Sequence, residues 1–190
     1  MTRAVLLLLL GALAPGMAPT PTNDLFVVNS NNGNIVRVLP SGEVTPFSHL
    51  DEIMGLGAVG FAVNARGYLY LAAPVRTSGL GGYAIYQVDN TGKTSVFASG
   101  FPQLGMLAFA ADGTLFAGAS GTLYKISPAG TVTSLPTGVS GPTGMAFDAH
   151  GTLYVSNVSN GSIVKVNPDT GAVTPFARDI QWCDWQPILR

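Results

Sequence analysis

The chain repeats itself. Phe61-Ala62-Val63-Asn64-Ala65-Arg66-Gly67-Tyr68-Leu69-Tyr70, Leu107-Ala108-Phe109-Ala110-Ala111-Asp112-Gly113-Thr114-Leu115-Phe116 and Met145-Ala146-Phe147-Asp148-Ala149-His150-Gly151-Thr152-Leu153-Tyr154 align on their glycines, and seven of ten positions agree in residue type. Those glycines are 46 and then 38 residues apart. A second motif follows in four copies: Ile35-Val36-Arg37-Val38, Ile85-Tyr86-Gln87-Val88, Leu123-Tyr124-Lys125-Ile126 and Ile163-Val164-Lys165-Val166. Each is followed by a turn glycine (Gly42, Gly92, Gly130, Gly171) and a further short apolar run ending at Phe47, Phe97, Leu135 or Phe176. A fixed period of this size marks a supersecondary unit that is stable only when stacked on its neighbours.

The unit reads as four short strands. β-branched and aromatic residues fill the strands, and glycine takes the turn positions that need positive φ. A four-stranded sheet cannot bury both faces alone, so the expectation is an all-β chain, a β-propeller of four-stranded antiparallel blades stacked face to face. The repeats are 24–47, 58–98, 105–135 and 143–176, with innermost strands near 58–64, 105–110 and 143–148. Ala62, Ala108 and Ala146 suit the crowded innermost strand. A Greek-key sandwich is the alternative, but it gives no reason for one four-strand unit to recur. The first repeat lacks an innermost strand, which leaves fifteen strands. Either the tail (177–190), with Ile180 to Trp185, completes the first sheet and closes a four-bladed ring, or the propeller is incomplete.

Composition excludes other classes. Nine Lys+Arg against ten Asp+Glu provide no cationic footprint for nucleic acid, and 24 Gly with 13 Pro in 190 residues argue against a helical bundle. Hydrophobic residues make up 47% and charged residues 10%, which is no disordered chain. Met1 to Arg3 is a basic start before the apolar run Ala4–Ala14. That run spans only about 16 Å as a helix, against a hydrocarbon core of about 30 Å, and so reads as a secretory signal (1–16) followed by a linker (17–23). An uncleaved anchor is the alternative. Cleavage before Met17 would release the chain to the periplasm or cell exterior without a stable membrane anchor. Cys183 is the sole cysteine, so no intrachain disulfide forms.

The run from Gly141 to Asn157, followed by Gly161-Ser162-Ile163-Val164-Lys165-Val166, resembles a blade of the NHL and SMP-30/gluconolactonase-like propellers, a six-bladed superfamily. The likeness covers about residues 24 to 176. Leu123 to Val132 also resembles the repeats of streptogramin (virginiamycin B) lyases. The resemblance implies the fold and leaves the activity open. Lactonases of this type are similar in holding a divalent cation such as calcium with an Asn or Asp just before the glycine that opens an innermost strand. Val59, Gly105 and Thr143 stand there in this chain. The glutamate those enzymes carry near the first innermost strand has no counterpart, since that strand is missing from the first repeat; Glu43 falls in an outer turn and Glu52 in a loop. The expectation is therefore no metal or other cofactor, with a cation-dependent hydrolase or lyase as the alternative.

No catalytic set emerges from spacing. His49 and His150 are the only histidines, and His150 falls in a turn that Arg66 and Asp112 occupy in sister repeats. The polar run Asn29-Ser30-Asn31-Asn32-Gly33-Asn34 and the inserted loop from Pro74 to Gly82 suit recognition or simple turn chemistry. Loops entering the first strands and leaving the second strands converge at one end of a blade. Asn29, Asp51, Glu52, Gln103, Ser140, Thr143 and Asn157 are thus the expected binding residues for a protein, peptide or glycan, on an exported, non-catalytic module. An unpaired blade edge adds a route to self-association.

Overall fold

The computed structural model describes residues 24–29, 32–51, 60–75, 82–119, 121–157 and 159–180. Among them are fifteen strands in four antiparallel sheets. The first sheet has three, β1 (Leu25–Asn29), β2 (Asn34–Val38) and β3 (Val44–His49). The second runs β4 (Gly60–Val63), β5 (Leu69–Pro74), β6 (Tyr83–Val88), β7 (Thr94–Phe101). The third is β8 (Leu107–Phe109), β9 (Leu115–Ala119), β10 (Thr122–Ile126), β11 (Val132–Pro136), and the fourth is β12 (Pro142–Phe147), β13 (Leu153–Asn157), β14 (Ser162–Val166), β15 (Val173–Ala177). In every sheet the strands follow in chain order, as meanders. The architecture is the expected β-propeller, with the first blade one strand short and the innermost strands where the glycine pattern put them. The leader, the linker and residues 181–190 lie outside the described residues, so the signal sequence and a ring-closing tail are not addressed by the fold.

Turn chemistry sets the strand lengths. Asn64, Asp89 and Asp148 each receive two backbone N–H groups from the turn that follows, as in Arg66 and Tyr68 to Asn64 Oδ1 at 2.9 and 3.0 Å. A short polar side chain so placed closes the turn and leaves the next strand free to pair. The two outer strands of the first, second and fourth sheets share a register shift, between Ile35 and Val36, Ile85 and Tyr86, and Ile163 and Val164. Such bulges increase the twist that blade stacking requires.

The core lies between sheets. One cluster joins the first and second through Val28, Ile35, Leu69, Leu71 and Val88. Another joins the second and third through Ala72, Ile85, Leu115 and Ile126. The last joins the third and fourth through Phe116, Leu123, Leu153, Val155 and Val166. Each large side chain buried in this way contributes about 1.5–3 kcal/mol. Edge-to-face ring pairs extend the contact across blades, Tyr70 on Phe109 at 4.9 Å and Phe116 on Phe147 at 5.3 Å. The innermost strands lie side by side, and their close approach demands glycine: a β-carbon on Gly60 would collide with the Gly105 carbonyl oxygen. Among the alanines expected at the crowded inner position, Ala62 is buried, Ala108 half-buried and Ala146 exposed, since the fourth sheet is the last among the described residues.

Candidate binding rim

Strands of a meander alternate in direction, so the segments before each innermost strand and after each second strand share one end of the molecule. That end carries two clusters of polar side chains. The first is built on the first blade. Asn29 pairs with Asn34 in register, and Asn34 pairs with His49. The His49 ring lies between Asn34 Oδ1, 2.7 Å from Nδ1, and Asp51 Oδ1, 2.9 Å from Nε2. A carboxylate only accepts, so Nε2–H donates to Asp51. With neutral imidazole Nδ1 is an acceptor, which requires the Asn34 amide to present its nitrogen there in place of Oδ1; with imidazolium, Nδ1–H donates to Oδ1. Either way both ring nitrogens are occupied, and His49 is a fixed polar post rather than a base with a free lone pair. The Asp51 side chain is 81% exposed, so its remaining lone pairs face solvent.

The second cluster is on the fourth blade. Thr143 Oγ1 and Ser156 Oγ lie 3.2 Å apart, and Ser156 Oγ donates to the Gly144 carbonyl at 3.3 Å. Ser156 fills the space a side chain at 144 would need, since a β-carbon on Gly144 would come within 2.8 Å of its hydroxyl. Asn157 is buried, pairs with Pro142 across the strands and accepts Ser159 N–H at 3.0 Å, so its side chain closes the turn. Ser140 is exposed just before β12, and Gln103 is exposed on the segment leading to β8. The structure thus groups Asn29 with Asp51 and Thr143 with Asn157, with Gln103 and Ser140 on the loops between blades. Glu52 and most of the Pro74–Gly82 insertion (76–81) lie outside the described residues.

His49, Asn34 and Ser156 were not among the residues expected to form the site. His49 could have been found by its spacing from Asp51, because positions two apart on an extended chain point the same way. Asn34 and Ser156 gain their roles only from strand register, which no local pattern states.

The carboxylates whose protonation is clearly shifted belong to turns at the opposite end. The Thr152 N–H above all holds Asp148 below the usual aspartate range, against a smaller opposing desolvation. The Thr91 hydroxyl and then its N–H do the same for Asp89, and the Thr114 N–H for Asp112. Tyr70 is pushed up, chiefly by burial in the core between blades.

The fold can be set beside known proteins. A streptogramin B lyase structure superposes with a TM-score of 0.65 at 14% identity, over 90% of this chain and 54% of that one. A putative gluconolactonase superposes at 0.62 and 16% identity, over 82% of this chain and 59% of the other. The nidogen/laminin complex gives 0.63 at 19% identity, over 82% of this chain and 62% of that one. The chain therefore spans little more than half the length of the lyase. No family model matches the sequence, and no curated protein does. Likeness at these identities is likeness of fold, shared by enzymes and by a binding protein alike.

Proposed function

We propose that the chain is an exported, non-catalytic propeller module that binds a protein, peptide or glycan on the rim carrying Asn29, Asp51, Glu52, Gln103, Ser140, Thr143 and Asn157. The observation that carries this reading is the chemistry of the rim. Exposed Asp51, steadied by His49, and the Thr143–Ser156 hydroxyl pair offer hydrogen-bond donors and acceptors in fixed positions. Preset polar groups of this kind recognise peptide amides and sugar hydroxyls at little ordering cost. The nidogen/laminin neighbour supports a propeller in a protein–protein role.

The lyase and gluconolactonase neighbours favour a second reading, hydrolysis or elimination with a divalent cation such as calcium in the central cavity. The residues fit it poorly. At the three positions that precede the opening glycine or its counterpart in sequence, Val59 (outside the described residues), Gly105 and Thr143 supply a single side-chain hydroxyl, already shared with Ser156, where calcium takes about six to eight oxygens. Calcium and zinc titration of the purified chain, with hydrolysis of a simple lactone followed alongside, tests the two readings. Neither binding nor turnover is expected. Tight metal binding with metal-dependent turnover would replace the module with an enzyme.

A further inference from the structure

Among the described residues, the first and fourth sheets each have a face on which no other sheet packs, and the chain itself shows what such faces are shaped to meet. In the fourth sheet Leu153, Val155, Val164 and Val166 face the third, where they close the core with Phe116, Leu123 and Leu135. By register the first sheet carries the same quartet on its open face: Leu25 pairs with Val38 and Val27 with Val36, as Leu153 pairs with Val166 and Val155 with Val164. Leu153 is fully buried and Leu25 only half-buried. At the other end, the open face of the fourth sheet presents Tyr154, Ile163 and Phe176 where the third sheet presents Phe116, Leu123 and Leu135. Phe176 is 55% exposed, and β13 alternates between buried and half-buried residues where β5 and β9 are buried almost throughout.

The turn glycines record the same joint. A β-carbon on Gly92 would strike the Phe47 carbonyl, one on Gly130 would come within 3.2 Å of the Phe97 carbonyl, and one on Gly171 within 3.4 Å of Leu135. Gly42, the first of the series, has the same left-handed backbone (φ 85°), and a β-carbon there would meet nothing within 4 Å. Its counterpart surface is the backbone around Phe176. One of these joints carries an ion pair as well. Lys125 of the third sheet lies over the Phe116 ring and donates to Asp169 in the next sheet's turn at 2.8 Å. Lys165 lies over Tyr154 and Phe176 at 5.6 and 5.1 Å, and the turn that holds Gly42 carries exposed Glu43.

We propose that two copies of this chain assemble head to tail, the open face of one copy's first sheet docking on the open face of the other's fourth sheet, twice around a shared axis. A heterologous joint of this kind leaves no free face only when the rotation closes. In the assembly Gly42 of one copy packs on Phe176 of the other, and Glu43 approaches Lys165. The rim of the second copy completes the binding end, but the joint does not depend on what the rim binds.

Sedimentation equilibrium of the purified chain at micromolar concentrations tests this. A species of twice the chain mass is expected. Phe176→Glu and Gly42→Asn should each weaken association at least tenfold while leaving the strand-rich circular dichroism unchanged. Asn tolerates the left-handed backbone, so Gly42→Asn tests the joint even where Phe176→Glu perturbs folding. Val96→Glu, on the exposed outer strand of the second sheet, should leave the dimer intact. A chain that stays monomeric throughout would overturn the proposal and leave the faces to further sheets of a longer polypeptide or to another protein. A dimer that both variants leave intact would overturn it too, by placing the contact elsewhere.

Discussion

The turn glycine Gly92 of the second blade packs directly on the carbonyl of Phe47 in the first, with no room for a β-carbon between them. Gly92 also has φ 84°, so two separate constraints select glycine there. Gly151 has nearly the same φ, 81°, but open space around it. Gly151→Ala should therefore cost about 1 kcal/mol for backbone strain alone, and Gly92→Ala about 1–3 kcal/mol more for the displaced neighbour. Urea unfolding midpoints of the two variants check the difference; equal costs would mean the blades are not packed at that turn.

Leu71 is fully buried between the first two blades, and Leu153 between the last two. Either substitution, Leu71→Ala or Leu153→Ala, should destabilise by about 2–5 kcal/mol, because stacked sheets cannot collapse into a cavity without breaking register. Chemical denaturation measures both. A cost below about 1 kcal/mol at either position would contradict the stacking of those sheets.

Asp89, Asp112 and Asp148 all have folded-state protonation constants below the ordinary aspartate value, since turn hydrogen-bond donors favour the carboxylate. Their contribution to stability is fully present above the unfolded-state value of about 3.9 and is lost as pH falls through the lowered folded-state values. Stability should be flat through neutral pH on account of these groups and should decline below about pH 4. Urea midpoints measured from neutral to acid pH test this. Asp148→Asn should make the acid decline shallower, because an amide does not gain the proton. An unchanged slope would remove Asp148 from the account.

The insertion between Pro74 and Gly82 is closed at its base by the sheet, where Pro74 pairs with Tyr83 and Val75 N–H donates to the Gly82 carbonyl at 2.9 Å. Replacing residues 76–81 with a short turn should leave the thermal midpoint nearly unchanged, since the ladder below is complete without them. Unfolding of the shortened chain would show that the insertion is structural.

Much of the fold was legible in the chain because it rests on local rules. Glycines recur where turns need positive φ, and apolar alternation states which strands pair in sequence order. The repetition of Leu69-Tyr70, Leu115-Phe116 and Leu153-Tyr154 shows that every copy meets the same surroundings. What tertiary structure alone decided was which of those equivalent residues are covered. Tyr70 and Tyr154 are interchangeable by pattern, yet Tyr70 lies against Phe109 of the next blade, while Tyr154 packs on Phe176 of its own. The rim divides in the same way. The candidate loops followed from meander geometry, but the meeting of His49 with Asn34 and of Thr143 with Ser156 depends on strand register. Register is set by bulges and by packing between sheets, which act over distances along the chain that no local motif encodes.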